Sequence, residues 1–218
     1  MKKLLLLIFV SLCAVTNANA QIFLEKDVAD LLDGNLLEMG SWQAASQAVI
    51  QQIGDANNFT SIQQNADLLN NKVLSSQQGR GNMGYISQTG SSLKTSLQQT
   101  GQSNEASIWQ EGSLISLEAR QTGDGNVITS YIKNMGLFDK TVALLQEGNN
   151  NRIDIALFGD EIPSTSQAIR VTQQGNGFEA KASMESYNFP VEITQRAGTR
   201  GGEMKVDVST SYFSFPMK

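Results

Sequence analysis

The residues of this chain whose types and spacing could do chemistry are carboxamides, and the chemistry they offer is hydrogen bonding. Glutamine and asparagine make up 37 of the 218 residues, and each carboxamide both donates and accepts hydrogen bonds. A Gln-x-Gly tripeptide recurs at steps of 22 to 27 residues, which indicates stacked repeats because a globule has no fixed period. The copies begin at Gln52, Gln77, Gln99, Gln121, Gln146, Gln173 and, in a decayed form that ends in alanine, Gln195.

Candidates for catalysis or metal binding are few. The chain has no histidine, and its one cysteine is Cys13 in an apolar amino-terminal segment, so triads, Cys-His pairs and zinc sites lack members. Asp154, Asp160 and Glu161 could form a carboxylate pair of the kind used by carbohydrate-cleaving enzymes. Asp154 is predicted to face outward beside Arg152, however, and the other two to lie in a loop. We therefore expect no enzyme activity, no cofactor and no metal.

Each copy predicts two short strands joined by a turn. Residues 99–110 read Q-x-G-x-x-N-x-A-x-x-x-Q. Because side chains alternate along a strand, Leu97 shares a face with Gln99, and Asn104 shares one with Gln110. Glycine between the strands supplies the backbone conformation of a tight turn. The predicted turn glycines are Gly54, Gly79, Gly101, Gly123, Gly148 and Gly175.

Stacking of the copies in register places equivalent carboxamides about 4.7 to 4.9 Å apart, where they can bond along the axis. The first predicted column consists of the seven glutamines given above. The second contains Asn57, Asn82, Asn104, Asn126 and Asn151, and the third contains Gln63, Gln88 and Gln110. Phe178 interrupts the second column, and Ile132 and Leu157 continue the third as apolar residues. An unpaired buried amide costs roughly 1 to 3 kcal/mol, so these columns favour in-register stacking.

These patterns predict an all-β protein, a two-sheet parallel β-solenoid of about seven strand-turn-strand rungs over residues 46–208. Trp109 and Tyr131 are predicted to lie in one outward-facing column on adjacent rungs. They form either a contact surface for fibre bundling or adhesion, or an ordinary cross-strand aromatic pair.

The segments outside the repeats predict export. Residues 1–20 have the basic start, apolar run and small-residue cleavage site of a secretory signal peptide. The apolar run is too short to span a bilayer, so we expect no stable membrane insertion. Residues 21–45 are predicted to be a leader or a cap over the first rung, and residues 209–218 a carboxy-terminal tail.

The charge of the chain disfavours nucleic acid as a partner. Without residues 1–20, 14 of the 16 basic residues remain against 21 acidic ones, a net charge of about −7. Binding to nucleic acid needs a basic footprint, so we expect none.

The repeat resembles that of the curlin family, whose secreted subunits polymerise into curli, the amyloid fibres of bacterial biofilms. The match is nearly complete at residues 99–110, good at 121–132 and 146–157, and partial at 52–63, 77–88 and 173–184. This chain has more repeats than the usual five, and longer loops.

The resemblance implies a structural subunit that leaves the cell through an outer-membrane secretion pore with accessory factors. It implies head-to-tail self-assembly into extracellular, cell-surface fibres, together with a companion curlin-like subunit. Two alternatives stay open, a minor nucleating or anchoring subunit of the same kind and a monomeric β-solenoid surface adhesin.

Overall fold

The fold was described from a computed structural model, which covers residues 46–53, 57–65, 70–133, 139–157, 167–184, 191–197 and 204–210. Within these ranges the chain forms fourteen β-strands and no helix. The predictions for residues 1–20 and 21–45 fall outside the described residues. The last strand ends at Thr210, so it runs two residues beyond the predicted end of the repeats at residue 208, and the strand includes the first two residues of the predicted tail.

Successive strands alternate between two seven-stranded sheets. In spatial order the first sheet contains β1 (Gln47–Ile53), β3 (Lys72–Arg80), β5 (Lys94–Gln102), β7 (Ile115–Thr122), β9 (Lys140–Glu147), β11 (Gln167–Gln174) and β13 (Val191–Arg196). The second contains β2 (Phe59–Asn65), β4 (Met83–Ser91), β6 (Glu105–Ser113), β8 (Val127–Thr129), β10 (Arg152–Asp154), β12 (Glu179–Met184) and β14 (Lys205–Thr210). Neighbouring strands are parallel throughout. The predicted two-sheet β-solenoid is confirmed, and each odd strand with the even strand after it forms one of seven rungs.

The core lies between the two sheets and follows the predicted alternation. Along β7, Ile115, Leu117, Ala119 and Gln121 are buried, and the residues between them are more exposed. Leu144 and Ile153, on facing strands, are both 0 % exposed. Full burial of such a side chain contributes about 1.5 to 3 kcal/mol, and truncating Leu144 to alanine is expected to cost about 2 to 5 kcal/mol.

The register of the first sheet aligns the repeated glutamines. Gln77 pairs with Gln99, and Gln99 pairs with Gln121. A slip of one residue would turn every interior side chain of a strand to the outside, so the apolar pattern fixes this register. The consequence is that each inward glutamine has another directly above and below it.

Candidate functional site

Seven glutamines form one continuous hydrogen-bonded column through all seven rungs. In each step the Nε2 group of one glutamine donates to the Oε1 atom of the glutamine in the following rung. The bonds join Gln52 to Gln77 (2.8 Å), Gln77 to Gln99 (2.6 Å), Gln99 to Gln121 (2.8 Å), Gln121 to Gln146 (3.0 Å), Gln146 to Gln173 (2.9 Å) and Gln173 to Gln195 (2.7 Å). The column therefore has a direction, with a carboxamide oxygen at the rung 1 end and a donor group at the rung 7 end.

The second Nε2 hydrogen of these glutamines ties the first sheet to the second. Gln99 Nε2 donates to the main-chain oxygen of Met83, and Gln121 Nε2 to that of Glu105, both at 2.9 Å. The equivalent bond is made by Gln77, Gln146, Gln173 and Gln195. Replacing one glutamine by an apolar residue thus leaves unpaired groups in two neighbouring rungs and in the opposite sheet.

A column of asparagines holds the turns of adjacent rungs together. Asn104 Nδ2 donates to the carbonyl oxygen of Gly123 at 2.7 Å, and Asn104 Oδ1 accepts from the main-chain nitrogen of Asn126 at 3.1 Å. The same pair of contacts to the following rung is made by Asn82, Asn126 and Asn151. Each asparagine therefore binds both the turn and the strand start of the next rung.

In the first rung, the predictions of Asn57 and Gln63 are wrong by one residue. Asn58 takes the place in the column, donating to Gly79 O at 2.9 Å and accepting from Asn82 N at 3.0 Å. Gln64, and not Gln63, donates to Gln88 Oε1 at 3.0 Å. One more residue separates Gln52 from Asn58 than separates the equivalent residues of rungs 2 to 6. Asn57 itself, at φ 70°, takes the place directly before the column that Gly81 and Gly125 take at φ 67° and 66°, a conformation that asparagine tolerates better than most residues.

The third column is confined to the first three rungs. Gln64 Nε2 donates to Gln88, and Gln88 Nε2 donates to Gln110, both at 3.0 Å. The hydroxyl of Thr95 lies beside this column, 3.0 Å from Gln88 Nε2 and 3.1 Å from Gln110 Oε1. Beyond Gln110 apolar residues take the place of this column, with Ile132 and Leu157 both 0 % exposed.

The turn glycines are required by both conformation and space. Gly79, Gly101, Gly123, Gly148 and Gly175 have φ of 115°, 120°, 113°, 114° and 148°. A Cβ atom added at Gly101 would overlap the carbonyl oxygen of Gly123, and the same overlap with the following rung occurs at Gly79, Gly123 and Gly148. Gly54, the remaining predicted turn glycine, falls outside the described residues.

A second set of turns, on the opposite side of the rungs, was missed by the sequence reasoning. Gly90 and Gly112 have φ of 122° and 94°, and a Cβ on Gly90 would overlap the oxygen of Gly112. Asn71 Nδ2 donates to Gly90 O at 2.8 Å, as the asparagine column does elsewhere. The signal was present in the sequence, because Gln-x-Gly occurs every 11 residues, at positions 77, 88, 99, 110 and 121.

A further column on the exposed turns was also missed. Asp124 Oδ1 accepts from the main-chain nitrogen of Gln102 at 2.8 Å, Asn149 Oδ1 accepts from that of Asp124 at 2.8 Å, and Asn176 Oδ1 accepts from that of Asn149 at 2.7 Å. Here the side chain of each rung contacts the main chain of the preceding rung, whereas each asparagine of the column contacts the main chain of the following rung. Side-chain contacts to both neighbouring rungs therefore fix the spacing of the turns.

The outer face of the second sheet carries aromatic pairs. The rings of Trp109 and Tyr131 lie edge to face with centroids 4.8 Å apart, and Trp109 is 52 % exposed. The Tyr131 hydroxyl donates to Glu111 Oε2 at 3.1 Å. Burial, and then the hydrogen bond and charge of Glu111, raise the pKa of Tyr131. Phe59 and Tyr85 form a second pair at 5.5 Å, so aromatic contacts on this face are not confined to the predicted column.

The candidate carboxylates are not brought into a catalytic arrangement within the described residues. Asp154 accepts hydrogen bonds from Arg152 Nε at 2.9 Å and Nη2 at 3.1 Å, and this contact raises the pKa of the guanidinium. Asp160 and Glu161 fall outside the described ranges. In the described part of the chain no group of acidic, cysteine or histidine side chains could hold a metal ion. No helix there has the length and apolarity needed to cross a membrane.

The arrangement as a whole offers a surface for stacking another rung, since the glutamine column and the two parallel sheets repeat along one axis and stop at the two end rungs. Three comparisons with known proteins found no relative of this chain. No family model, no curated protein and no solved structure matches the chain.

Proposed function

We propose that this chain is a secreted structural subunit that polymerises, rung upon rung, into curli-like amyloid fibres of the extracellular biofilm matrix. The observation that carries the proposal is the unbroken glutamine column, in which each carboxamide donates to the next at 2.6 to 3.0 Å through seven rungs. A column of this kind is satisfied at every interior rung and is left incomplete where the rungs stop. Adding a further rung continues it with no new type of contact.

The sheet edges supply the second support. Among the described strands, β1 and β2 begin the two sheets and β13 and β14 end them. A parallel edge strand presents unpaired N–H and C=O groups, and these pair readily with another strand. Because the two ends of the solenoid are different surfaces, a contact between them is head-to-tail and extends into a filament unless rotation closes it.

The resemblance of the repeat to the curlin unit supports the same function and adds the setting. By that resemblance the subunit passes through an outer-membrane secretion pore with accessory factors, and is joined in a cell-surface fibre by a companion curlin-like subunit. The secretory signal predicted for residues 1–20 agrees with this route. The proposed role is structural, with the interior apolar residues supplying the driving force and the carboxamide columns selecting the register.

A minor, nucleating or anchoring subunit is a second candidate within this class, and the end of the asparagine column favours it. Phe178 occupies the asparagine position in rung 6, and Met204 occupies it in rung 7, as their main-chain bonds to Arg152 and Glu179 show. A monomeric adhesin is favoured by a different observation, the exposed ring of Trp109 beside Tyr131.

Assembly of the purified full chain distinguishes these functions. We expect dye-binding fibres with diffraction at about 4.7 and 10 Å, the spacings between strands and between sheets. A major subunit assembles alone after a lag that its own seeds abolish, and a nucleating subunit shortens the lag of another chain at a low molar ratio. A protein that elutes as a stable monomer for days at micromolar concentration would instead be an adhesin and would refute the fibre proposal.

A further inference from the structure

The two end rungs differ at the positions through which rungs contact each other. Rung 1 has Gln52, Asn58 and Gln64 in the three carboxamide columns. Rung 7 has Gln195 in the first column, but Ala197 stands at its turn and Met204 in the asparagine column. Ala197 N donates to Gln174 O as Gly175 N does to Glu147 O, which places this alanine in the glycine series.

Ala197 opposes the stacking of another rung beyond rung 7. At Gly79, Gly101, Gly123 and Gly148 an added Cβ would overlap the carbonyl oxygen of the rung on the carboxy-terminal side. Alanine in this conformation would project its methyl group into the place of the incoming turn. A positive φ is also costly for alanine. Ala197 is not among the described residues that have a positive φ. Ala197 therefore departs from the backbone conformation that the turn glycines of rungs 2 to 6 share.

Met204 removes the bonds that an asparagine would give to the next rung. In rungs 1 to 5 the asparagine Nδ2 donates to the following turn, and its Oδ1 accepts from the following main-chain nitrogen. A methionine side chain can make neither bond. Gln195 does not add to this difference. Its Nε2 bonds to Glu179 O at 2.9 Å and Met204 O at 2.8 Å have counterparts at Gln99, which also donates to the next glutamine.

At the opposite end, the described residues of rung 1 keep a carboxamide in each column. The Oε1 atom of Gln52 is the terminal acceptor of the glutamine column. In the later rungs the equivalent Oε1 atom accepts a hydrogen bond from the glutamine of the preceding rung. Gln52 is partly exposed, whereas Gln195 is 0 % exposed. Asn58 continues the asparagine column at rung 1, so its main-chain nitrogen lies where a preceding asparagine Oδ1 would accept from it, as Asn82 N does with Asn58 Oδ1 at 3.0 Å.

We infer that the two ends of this subunit are unequal in assembly. The face of rung 1 binds the last rung of another chain when that rung has glutamine in the first column, glycine at the turn and asparagine in the second column. The face of rung 7 binds another subunit weakly. The junction between two copies of this chain is then the weakest step of the fibre, and the preferred partner is a repeat chain whose last rung is complete. This inference rests on the proposed stacking function.

A variant with a repaired last rung tests the inference. Ala197→Gly with Met204→Asn removes the methyl group and supplies an asparagine for the two bonds to the next rung, and Ala197→Ser with Met204→Leu is the matched control that does neither. With equal amounts of sonicated seeds, we expect the repaired chain to elongate at least about tenfold faster than the wild type, because two hydrogen bonds are regained at each junction. The control is expected to elongate as the wild type does.

A mixing experiment gives an independent measurement. A wild-type chain can place its complete rung 1 on the repaired rung 7 of a growing fibre, but it then presents Ala197 and Met204 at the new end. We expect wild-type chain at a few per cent of the repaired chain to shorten the fibres seen by electron microscopy. Equal elongation rates for wild type and repaired chain, or fibre lengths unaffected by mixing, would overturn the inference and leave the fibre function intact. Absence of any fibre from the repaired chain would overturn both.

Discussion

Gln99 and Gln121 lie directly above one another in the interior of the solenoid, with 2.8 Å between Gln99 Nε2 and Gln121 Oε1. Gln121 in turn donates to Gln146 Oε1 at 3.0 Å and to the main-chain oxygen of Glu105 at 2.9 Å. Each of these carboxamides therefore holds two adjacent rungs and both sheets. The stability of the fold and the register of any further rung depend on the same side chain.

Replacing Gln121 by leucine is expected to lower the free energy of unfolding by about 2 to 4 kcal/mol, because three buried partners lose a hydrogen bond and only part of this is offset by the apolar side chain. Urea titration of the purified chain measures the effect. Gln98→Leu, at an outward-facing and partly exposed position, is the control and is expected to stay within about 0.5 kcal/mol of the wild type. In the double variant Gln99→Leu with Gln121→Leu, fibre formation is expected to slow, and unchanged kinetics would speak against a role of the column in assembly.

Gly123→Ala is expected to disrupt the stacking of rungs 4 and 5. The new methyl group would overlap Gly148 O, and φ of 113° at this position is unfavourable for alanine. We expect a loss of more than about 3 kcal/mol, or no folded protein, as judged by circular dichroism and urea unfolding. Gly125→Ala is the matched control two residues away.

At Gly125 the added methyl group would lie 2.6 Å from Asn150 Oδ1, the end of a side chain, at φ of 66°. Because the side chain can move, the cost is expected to be about 1 to 2 kcal/mol, from the left-handed conformation alone. Equal losses for the two substitutions would show that contact with the next rung does not set the requirement for glycine.

The one-residue shift in the first rung predicts that substitutions of two adjacent asparagines differ in their effect on stability. Asn58→Ala leaves Gly79 O and Asn82 N without their side-chain partner, and it is expected to cost about 1 to 2 kcal/mol. Asn57→Gly keeps the left-handed conformation of an exposed residue and is expected to change stability by less than about 0.5 kcal/mol. Hydrogen exchange of the Asn82 amide should quicken only in Asn58→Ala, and the reverse pattern would restore Asn57 to the column.

The aromatic pair on the second sheet predicts a loss of stability at high pH. Burial, and then the hydrogen bond and charge of Glu111, raise the pKa of Tyr131 above its ordinary value of 10.0. A raised folded-state pKa favours the protonated phenol, so this contribution is complete below about pH 10 and is lost as the pH rises through the folded-state value. Urea midpoints should therefore fall more steeply above about pH 10 in the wild type than in Tyr131→Phe.

Glu111→Gln is the control for that measurement, because it keeps a hydrogen-bond acceptor near Tyr131 and removes the charge. Its alkaline loss of stability is expected to lie between those of the wild type and Tyr131→Phe. Difference absorbance spectra of the wild type and Tyr131→Phe follow the phenolate directly. An ionisation of Tyr131 at or below its ordinary pKa would contradict the packing described for this side chain.

Much of the site could be predicted from the chain because a repeat stacked in register makes local spacing into three-dimensional contact. The glutamines at 22 to 27 residue steps occupy one column since the strands that carry them are in parallel register. The alternation in β7 identified Ile115, Leu117 and Ala119 as interior residues for the same reason. What failed in the first rung was counting across a turn, because one more residue lies between Gln52 and Asn58 than between the equivalent residues of rungs 2 to 6.

The sequence by itself determined the fold class, the number of rungs and the face on which each glutamine lies, because these follow from periodicity and strand alternation alone. Only the tertiary structure decided the direction of the carboxamide bonds, the place of Asn58, and the contact of each turn glycine with the following rung. Those features depend on how turns of unequal length are positioned against each other, and this is settled when main-chain groups 21 or more residues apart pair across rungs. The same contacts reveal that Ala197 and Met204 make the last rung unlike the first.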